Sequence, residues 1–228
     1  MVLRNLAGLL GLASDPPATP PGERIYAIGD IHGRLDLFYQ LLKRIEADNA
    51  ARSRADVWVI LLGDLINRGP DSRGVVERAL KLTESSQSAI FLMGNHEDML
   101  LRVWRGQASM AASFIKAGGD ATLKSYGYAE PIDQLLEMRD RDIIQLVRSH
   151  VPEDHIRFLS RFGESCRMGD YLFVHAGIRP GISIEVQTTE DMRWIGQDFL
   201  KSKAQHGAMI VHGHHISAVP DVQPNRIG

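Results

Sequence analysis

The stretch Ile25–Gly33 reads Ile-Tyr-Ala-Ile-Gly-Asp-Ile-His-Gly, an apolar run that stops at a glycine-rich turn. Its β-branched and aromatic side chains suit a buried strand. Gly29 and Gly33 then permit a sharp turn, because glycine adopts backbone conformations that are closed to other residues. Asp30 and His32 stand two apart in this turn, so both side chains can point to one place beyond the end of the strand. A carboxylate oxygen and an imidazole nitrogen form half of a divalent-metal site.

Four further apolar runs of strand length also end in polar residues. They are Val57–Leu62, Ala89–Met93, Tyr171–Val174 and Ala208–Val211. Continuous apolar runs of this length are typical of strands that are covered on both faces. The polar residues that close the five runs are Asp30 and His32, Asp64, Asn95 and His96, His175, and His214. The chain therefore repeats one strand-and-turn construction five times.

Apolar residues recur at helical spacing between these runs, at Leu35–Ala51, Gly74–Lys81, Met99–Trp104 and Thr189–Leu200. Strands that alternate with helices predict an α/β fold. Residues 106–168 break this rhythm, because they hold several short helical patterns separated by glycine and proline. We interpret them as a helical insertion that covers the metal end of the sheet.

The two ends of the chain are less regular. Residues 1–23 contain the apolar patch Leu6–Ala13 and a proline-rich stretch, which predict a flexible N-terminal segment with a weakly docked helix and a stiff linker. The patch has no clear cleavage site before the prolines, which argues against a signal peptide. Residues 24–228 are predicted to form one catalytic domain. Because the chain stops at Gly228, soon after Pro224, we expect one or two terminal strands to be absent from it.

The composition is that of an ordinary globular protein, with 44% apolar and 24% charged residues in 228. A formal charge of −2 gives no global electrostatic case for nucleic acid or an anionic membrane as a partner. No apolar run approaches the roughly 20 residues that span a bilayer. The single cysteine, Cys166, excludes an internal disulfide and fits a reducing compartment, so we predict a cytoplasmic protein.

The polar residues after the five runs predict a metal site. Ligands of open α/β sheets bind at the carboxyl ends of the strands, so these side chains are expected to converge on one crevice. Their oxygen and imidazole nitrogen atoms suit manganese, iron or zinc. The six candidate ligands are Asp30, His32, Asp64, Asn95, His175 and His214, which is about right for two ions that also hold waters. Two ions ~3.5–4 Å apart can bridge a water, lower its pKa and present hydroxide in line with a phosphorus.

Two further residues supply what such a reaction needs. Arg68, four residues after Asp64, is placed to grip phosphoryl oxygens through its guanidinium fork. His96, directly after Asn95, can protonate a departing alkoxide as a general acid. The sequence thus predicts a metal-dependent phosphoesterase with two divalent ions, manganese first and iron or zinc as alternatives.

Five motifs together resemble the metallophosphoesterases and, within them, the phosphoprotein phosphatase family. The nearest likeness is to bacterial and phage serine/threonine phosphatases, and it extends from about Arg24 to the C-terminus. The motifs occur in the family's order, as Gly29–Gly33, Gly63–Gly69, Gly94–Glu97, His175-Ala176-Gly177 and Gly213-His214. The resemblance implies a four-layer fold, with a central β-sandwich flanked by helices.

The resemblance also implies a role for each matched residue. Asp30, His32 and Asp64 would hold one metal. The second would be held by Asp64, as the bridging ligand, together with Asn95, His175 and His214. By the same likeness His96 is the proton donor and Arg68 is a phosphate ligand.

The chain departs from the family pattern at Asn67, where the family has an acid that orients and charges the histidine matched by His96. An amide oxygen can still accept a hydrogen bond from the imidazole, but it brings no negative charge. Less His96 should then be protonated, and turnover should fall for leaving groups that need a proton. A second departure lies beside Trp194, where Arg193 or Arg179 is the candidate for a second phosphate contact.

Three functions follow from this pattern. The first is a phosphomonoesterase, foremost a serine/threonine protein phosphatase that acts on a phosphorylated protein or a small phosphoester. The first alternative is a symmetrical diadenosine tetraphosphatase, since these enzymes resemble the chain in the same motif and lack the acid. The second alternative is a family member that binds phosphorylated partners with little turnover.

Overall fold

The computed structural model describes residues 16–84 and 88–228 of the chain. The apolar patch Leu6–Ala13, with its predicted helix, lies outside the described residues. The described part of the predicted linker lies against a turn at residues 168–171. There Ala18 donates its N–H to Asp170 Oδ2 over 3.1 Å, and the Tyr171 hydroxyl donates to the carbonyl oxygen of Pro17 over 3.1 Å.

The first sheet has three parallel strands in the order β1-β2-β3. These strands are β1 (Glu23–Ile28), β2 (Asp56–Leu61) and β3 (Ser88–Phe91), and they match the first three predicted runs. The crossover helices are α1 (Leu35–Ala50) and α2 (Ser72–Leu82). Asp71 is the N-cap of α2, because its carboxylate accepts the Gly74 N–H over 2.7 Å.

The second sheet has five strands in the order β4-β5-β6-β8-β7. They are β4 (Ser165–Met168), β5 (Tyr171–Val174), β6 (Met209–Val211), β7 (Val222–Gln223) and β8 (Arg226–Ile227). β5, β6 and β8 are parallel, whereas β4 and β7 are antiparallel to their neighbours. The sequence missed β4, β7 and β8, because each contains polar residues, such as Ser165 and Arg167 in β4, and so lacks a continuous apolar run.

The region between β3 and β4 is helical, as predicted, except that it ends in β4. Its helices are α3 (Asn95–Trp104), α4 (Ala111–Phe114), α5 (Asp120–Ser125), α6 (Ile132–Glu137), α7 (Asp140–His150) and α8 (Glu153–Leu159). A π-helical turn, Ile115–Gly119, joins α4 to α5. After β5, the predicted helix Thr189–Leu200 divides into α9 (Thr189–Trp194) and α10 (Gln197–Leu200).

The two sheets pack face to face between layers of helices. Alternate residues of a strand point to opposite faces, so Ile60 and Leu62 face the second sheet, where they join Phe173 in one apolar cluster. Val59 and Leu61 instead pack with the helices beside the first sheet. The outer face of the second sheet packs on α9 and α10. These layers confirm the predicted four-layer fold. Among the described residues, no helix has both the length and the apolar character needed to cross a bilayer.

Candidate dinuclear metal site

The six predicted ligands lie together where strands of both sheets end. Asp30, Asp64 and Asn95 follow β1, β2 and β3, while His175 and His214 follow β5 and β6. Although His214 lies far from Asp30 in the chain, its backbone N–H donates to Asp30 Oδ1 over 2.9 Å. The carboxyl ends of the two sheets therefore meet in one place.

One group of ligand atoms is formed by Asp64, His175 and His214, whose atoms all lie within 4.8 Å of one another. His175 Nε2 lies 3.4 Å from Asp64 Oδ2 and 3.0 Å from Asn95 Oδ1. His214 Nδ1 lies 3.1 Å from the same oxygen of Asn95. These four residues are the set that the resemblance implies for the second metal.

A second group lies on the other side of Asp64. His32 Nε2 is 3.7 Å from Asp64 Oδ2 and 3.8 Å from Asp30 Oδ2. His96 Nε2 is also 3.8 Å from Asp64 Oδ2, so by distance alone His96 belongs to this group. Asp64 lies between the two groups, which is the position of a bridging ligand.

The ring orientation of two histidines favours cation binding. His32 Nδ1 donates to the carbonyl oxygen of Ile66 over 2.8 Å, and His175 Nδ1 donates to that of Leu62 over 2.7 Å. A carbonyl can only accept, so Nδ1 carries the ring hydrogen of each neutral imidazole. Nε2, which faces Asp64, is then the nitrogen that would bind a metal after any second proton has left. His32 Nε2 is buried and has no hydrogen-bond partner among the described residues. Converging acceptors of oxygen and imidazole nitrogen fit a pair of divalent cations.

The charges in this cluster are strongly coupled. Burial lowers the pKa of His175, but the carboxylates of Asp64 and Asp30 outweigh this effect and raise it to about 9. Burial likewise raises the pKa of Asp64, but the neighbouring histidines, His175 first, hold it below its usual range. Asp64 is therefore a carboxylate, the form that binds a metal.

Backbone strain is concentrated at this site. Within the described ranges, the non-glycine residues with a positive φ are His32, Asp64, Asn67, Arg68 and His214, at 42° to 71°. All five are predicted site residues. Non-glycine residues in this conformation persist only where the surroundings hold them in place, and they cluster at functional sites.

Glu97 is one source of that support, and the sequence reasoning used it only as a family mark. Its buried carboxylate accepts the backbone N–H groups of Asp64 and Leu65, each over 2.8 Å. It also accepts the N–H of Gly94, the N-cap of α3, over 3.2 Å. Burial, followed by the charge of Asp64, raises the pKa of Glu97 to about 7. An acid three residues into a helix that begins at glycine was the available signal, since this is the position of a capping-box acid.

The side chains of Asn67 and Arg68 both contact His96. Asn67 Nδ2 lies 2.8 Å from His96 Nδ1, and Arg68 Nη2 lies 3.2 Å from His96 Nε2. The amide nitrogen of Asn67, rather than its oxygen, faces the imidazole. Burial lowers the pKa of His96 to about 4, against the opposing charge of Asp64. Arg68 is exposed and so remains open to a phosphate.

Arg193 and Arg179 both have carboxylate partners. Arg193 donates to Asp98 over 2.5 Å and to Glu164 over 2.8 Å, and Arg179 donates to Asp191 over 3.0 Å. These ion pairs occupy much of the donor capacity of each guanidinium. A phosphate contact by Arg193 stays a prediction.

A cleft of about 540 Å³ opens beside the metal ligands. His96 and Asn95 lie at one end of it, and the apolar side chains of Met99, Met110 and Trp194 line its walls. Three basic residues also line it, namely Arg68, Arg102 and Lys116. Arg102 is paired with Asp98 over 2.9 Å, whereas Lys116 has no ion pair within the part of the chain that the structure describes. One acidic residue, Glu190, also lines the cleft, so its basic side chains outnumber the acidic ones and the cleft is suited to an anion.

Comparison with known proteins adds relatives of one kind. A symmetrical bis(5'-nucleosyl)-tetraphosphatase of Nitrosospira multiformis is 34% identical over 161 residues, which cover 71% of this chain and 46% of that protein. A protein of the same name from Dechloromonas aromatica is 33% identical over 156 residues, 68% of this chain and 44% of its own length. The chain thus spans less than half the length of these curated relatives.

Structure comparison supports the fold. The crystal structure of a candidate diadenosine tetraphosphatase superposes with a TM-score of 0.60 at 21% identity, covering 92% of this chain and 84% of that one. The model of the calcineurin-like phosphoesterase family matches residues 23–224. The predicted resemblance to the metallophosphoesterases is confirmed, while the narrower resemblance to phosphoprotein phosphatases stays a prediction. This chain belongs to the calcineurin-like phosphoesterase family.

Proposed function

We propose that the chain hydrolyses the phosphoanhydride of a dinucleoside polyphosphate, rather than the phosphate ester of a protein. The observation that carries this proposal is the set of three basic side chains, Arg68, Arg102 and Lys116, that line the same cleft as His96. A departing nucleoside diphosphate bears several negative charges, whereas a departing serine hydroxyl bears none. Charge-assisted hydrogen bonds are about twice as strong as neutral ones, so this cleft favours the anionic leaving group. The relatives from Nitrosospira multiformis and Dechloromonas aromatica support the same substrate class.

The residues of the chain divide the work of this reaction. Two divalent ions, when bound by the six predicted ligands, lower the pKa of water and neutralise phosphoryl charge. Arg68 binds oxygens of the phosphoryl group under attack and aligns it. His96, beside Arg68, donates a hydrogen bond to the oxygen of the breaking P–O bond. Lys116 and Arg102 stabilise the departing diphosphate. Because this leaving group needs little protonation, the reaction can proceed with Asn67 in place of an acid.

The proposal also names the metal and the cellular location of the protein. Manganese is the metal to test first, with iron and zinc next. A cytoplasmic location rests on the single thiol, Cys166, which is free and half-buried and whose pKa burial raises. Such a thiol is unreactive and persists in a reducing compartment.

A serine/threonine protein phosphatase is the second candidate. Its supporting observation is Glu97 in the Gly94–Glu97 motif, which resembles the protein phosphatases. A phosphorylated protein would place its serine side chain in the cleft and leave Lys116 without a phosphate partner. A family member that binds phosphorylated partners with little turnover is the third candidate, and the same experiment separates all three.

The test measures products from diadenosine tetraphosphate and from a phosphoserine peptide, each with manganese. The expected products from the first are two molecules of ADP, formed faster than phosphate from the peptide. Lys116→Met should lower kcat/KM for the dinucleotide about tenfold, the value of one charged hydrogen bond, and should leave p-nitrophenyl phosphate nearly unaffected. Lys81→Met, an exposed change on α2 away from the cleft, is the matched control. Faster release of phosphate from the peptide would overturn the proposal, and peptide binding without turnover would favour the third candidate.

A further inference from the structure

We propose that Thr122, in the helical insertion, is a positioning residue that fixes the side-chain amide of Asn67 and thereby the proton-bearing nitrogen of His96. The inference rests on phosphoesterase activity, but not on which phosphoester is the natural substrate. Thr122 lies 55 residues beyond Asn67, in α5, and no sequence motif assigns it a role. It would give the insertion a direct part in the reaction.

Thr122 belongs to a buried group of three polar side chains. Thr122, Asn67 and Ser72 are each 0% exposed. The backbone N–H of Asn67 points to Thr122 Oγ1 at 2.9 Å and to Ser72 Oγ at 3.0 Å. Thr122 Oγ1 also lies 2.7 Å from Asn67 Oδ1 and 3.0 Å from Ser72 Oγ. Buried groups of this kind are stable only when their donors and acceptors all match.

Counting hydrogens favours one arrangement, in which both hydroxyl hydrogens find an acceptor and one hydrogen of the Asn67 NH2 group has none among the described contacts. Thr122 accepts the backbone N–H of Asn67, and its single hydroxyl hydrogen goes to Asn67 Oδ1. The hydroxyl hydrogen of Ser72 then goes to Thr122 Oγ1. If the Asn67 amide were reversed, Thr122 would have to donate to Ser72 instead, and the described contacts give the Ser72 hydrogen no other acceptor. Thr122 therefore holds the oxygen of the amide and turns its NH2 group towards His96.

The orientation of the amide decides which ring nitrogen of His96 carries hydrogen. Asn67 Nδ2 can only donate, so His96 Nδ1, 2.8 Å away, accepts. The ring hydrogen is then on Nε2. Arg68 Nη2 lies 3.2 Å from Nε2 and can also only donate, so in this arrangement the exposed guanidinium directs its hydrogens to another acceptor, such as a phosphate oxygen. Two donors lie side by side at the end of the cleft, and one oxygen of a departing phosphate could accept from both.

The insertion also holds Arg68 in place. The carbonyl oxygen of Gly118, in the π-helical turn, accepts the Arg68 N–H over 3.1 Å. A Cβ at Gly118, where φ is +94°, would lie 2.7 Å from that nitrogen. Asn67 and Arg68 have φ values of 71° and 67°, so neither conformation is intrinsically preferred. Gly118 thus holds Arg68, and Thr122 holds Asn67. The orientation of His96 depends on the contact between Thr122 and Asn67.

The kinetic test compares Thr122→Val, which removes the hydroxyl at nearly constant volume, with Thr122→Ser, which keeps it. The substrates are p-nitrophenyl phosphate and phenyl phosphate, because phenol is the poorer leaving group and depends more on the donor at His96. Thr122→Val should lower kcat for phenyl phosphate about tenfold or more, by analogy with residues that orient metal ligands, whose loss costs 10- to 100-fold. The loss of kcat for p-nitrophenyl phosphate should be smaller, and KM should change little for both substrates. Thr122→Ser should restore most of the lost kcat. Thr83→Val, on an exposed threonine at the end of α2, is the matched control.

A spectroscopic readout does not depend on turnover. In the wild-type protein loaded with zinc, the ¹⁵N shift of His96 Nδ1 should be that of an unprotonated nitrogen, and Nε2 should carry hydrogen. In Thr122→Val the Nδ1 signal should move towards the protonated value. A protonated Nδ1 in the wild type would overturn the inference, as would equal losses on both substrates that Thr122→Ser does not restore. Failure of the proposed function would appear only with diadenosine tetraphosphate, which this experiment does not use.

Discussion

The loops that follow β2 and β6 both supply predicted metal ligands, yet the protein holds them in different ways. In the β2 loop, residues 63–70, the backbone N–H groups of residues 64 to 68 donate to Glu97, Thr122, Ser72 and Gly118. In the β6 loop, residues 213–219, His214 donates to Asp30, but the tip of the loop extends into solvent. Ile216 is 89% exposed and Val219 is 71% exposed.

The difference shows where the fold fixes geometry in advance. The β2 loop carries the bridging Asp64 and the groups that contact phosphate, and their strained conformations are held by contacts from α2, α3 and the insertion. Such rigid support is what a site needs to act on a substrate without rearranging. The β6 loop carries one ligand, His214, and little else, so most of its residues can vary without cost to the site.

The largest effect should come from the ligand in the β2 loop. Asp64→Asn removes the charge shared by both groups of ligand atoms, so both divalent ions and activity should be lost. Mutation of residues that only orient metal ligands typically lowers metal affinity or activity 10- to 100-fold. For the ligand Asp64 itself we therefore expect activity to fall by more than about 100-fold. Elemental analysis and p-nitrophenyl phosphate assays measure the two effects. Asp36→Asn, at an exposed aspartate of α1, is the control, and full metal content in Asp64→Asn would contradict the proposed site.

Breaking the support of the β2 loop should mainly affect stability. Glu97→Gln places an amide NH2 where backbone N–H groups point, which leaves buried donors unpaired. The cost is about 2–3 kcal/mol in the free energy of unfolding, measured by urea denaturation. Glu77→Gln, an exposed glutamate of α2 that pairs with Arg73, should cost under about 1 kcal/mol. Equal losses in the two variants would show that Glu97 does not hold this loop.

Buried histidines on both sides of the site should make the protein sensitive to acid, since burial lowers the pKa of His96 as well as that of His212. Burial lowers the pKa of His212, at the end of β6, to about 4. The folded state therefore keeps His212 neutral while the unfolded chain takes up a proton near pH 6.5, so this contribution to stability is lost as pH falls from about 6.5 to about 4. The loss is at most on the order of 3 kcal/mol. In metal-free protein, His212→Gln should flatten the pH dependence of the unfolding free energy between these two pH values. An unchanged slope in His212→Gln would count against this assignment.

A smaller change should sharpen the role of the β2 loop in catalysis. Asn67→Asp supplies a carboxylate that can accept from both Thr122 and His96 Nδ1, which favours the charged imidazolium and a stronger proton donor. We expect kcat on a phosphoserine peptide to rise several-fold, with a smaller change on p-nitrophenyl phosphate. An unchanged kcat on the peptide would contradict the account of Asn67.

The smallest effect should come from the tip of the β6 loop. Ile216→Ser alters a side chain that is 89% exposed, so the free energy of unfolding should change by less than about 0.5 kcal/mol. Thermal denaturation and the p-nitrophenyl phosphate assay should both give wild-type values. A decrease of more than about 1 kcal/mol in the free energy of unfolding would show that the tip packs against another part of the protein. The β6 loop would then be held by contacts, as the β2 loop is.

The sequence predicted the metal ligands, because their signal lies in short continuous stretches of the chain. Each ligand directly follows an apolar run, so strand ends such as Gly29-Asp30 and Gly63-Asp64 indicated both the sheet and the site. The supporting contacts were missed because they join distant segments, as Thr122 joins Asn67. Glu97 was overlooked because its partners lie on the β2 loop. The strands β4, β7 and β8 were missed because their polar residues leave no continuous apolar run of the kind that marked β5 and β6. The orientation of the Asn67 amide was missed because it depends on Thr122.

The division of the ligands between the two sheets has a mechanical consequence. Asp30, Asp64 and Asn95 belong to one half of the sandwich and His175 and His214 to the other, so coordination would cross-link the halves. Any ion that binds the folded state alone raises its stability by mass action, and here that gain would oppose separation of the sheets. Chelation should therefore loosen the packing of Ile60 and Leu62 against Phe173 between the two sheets.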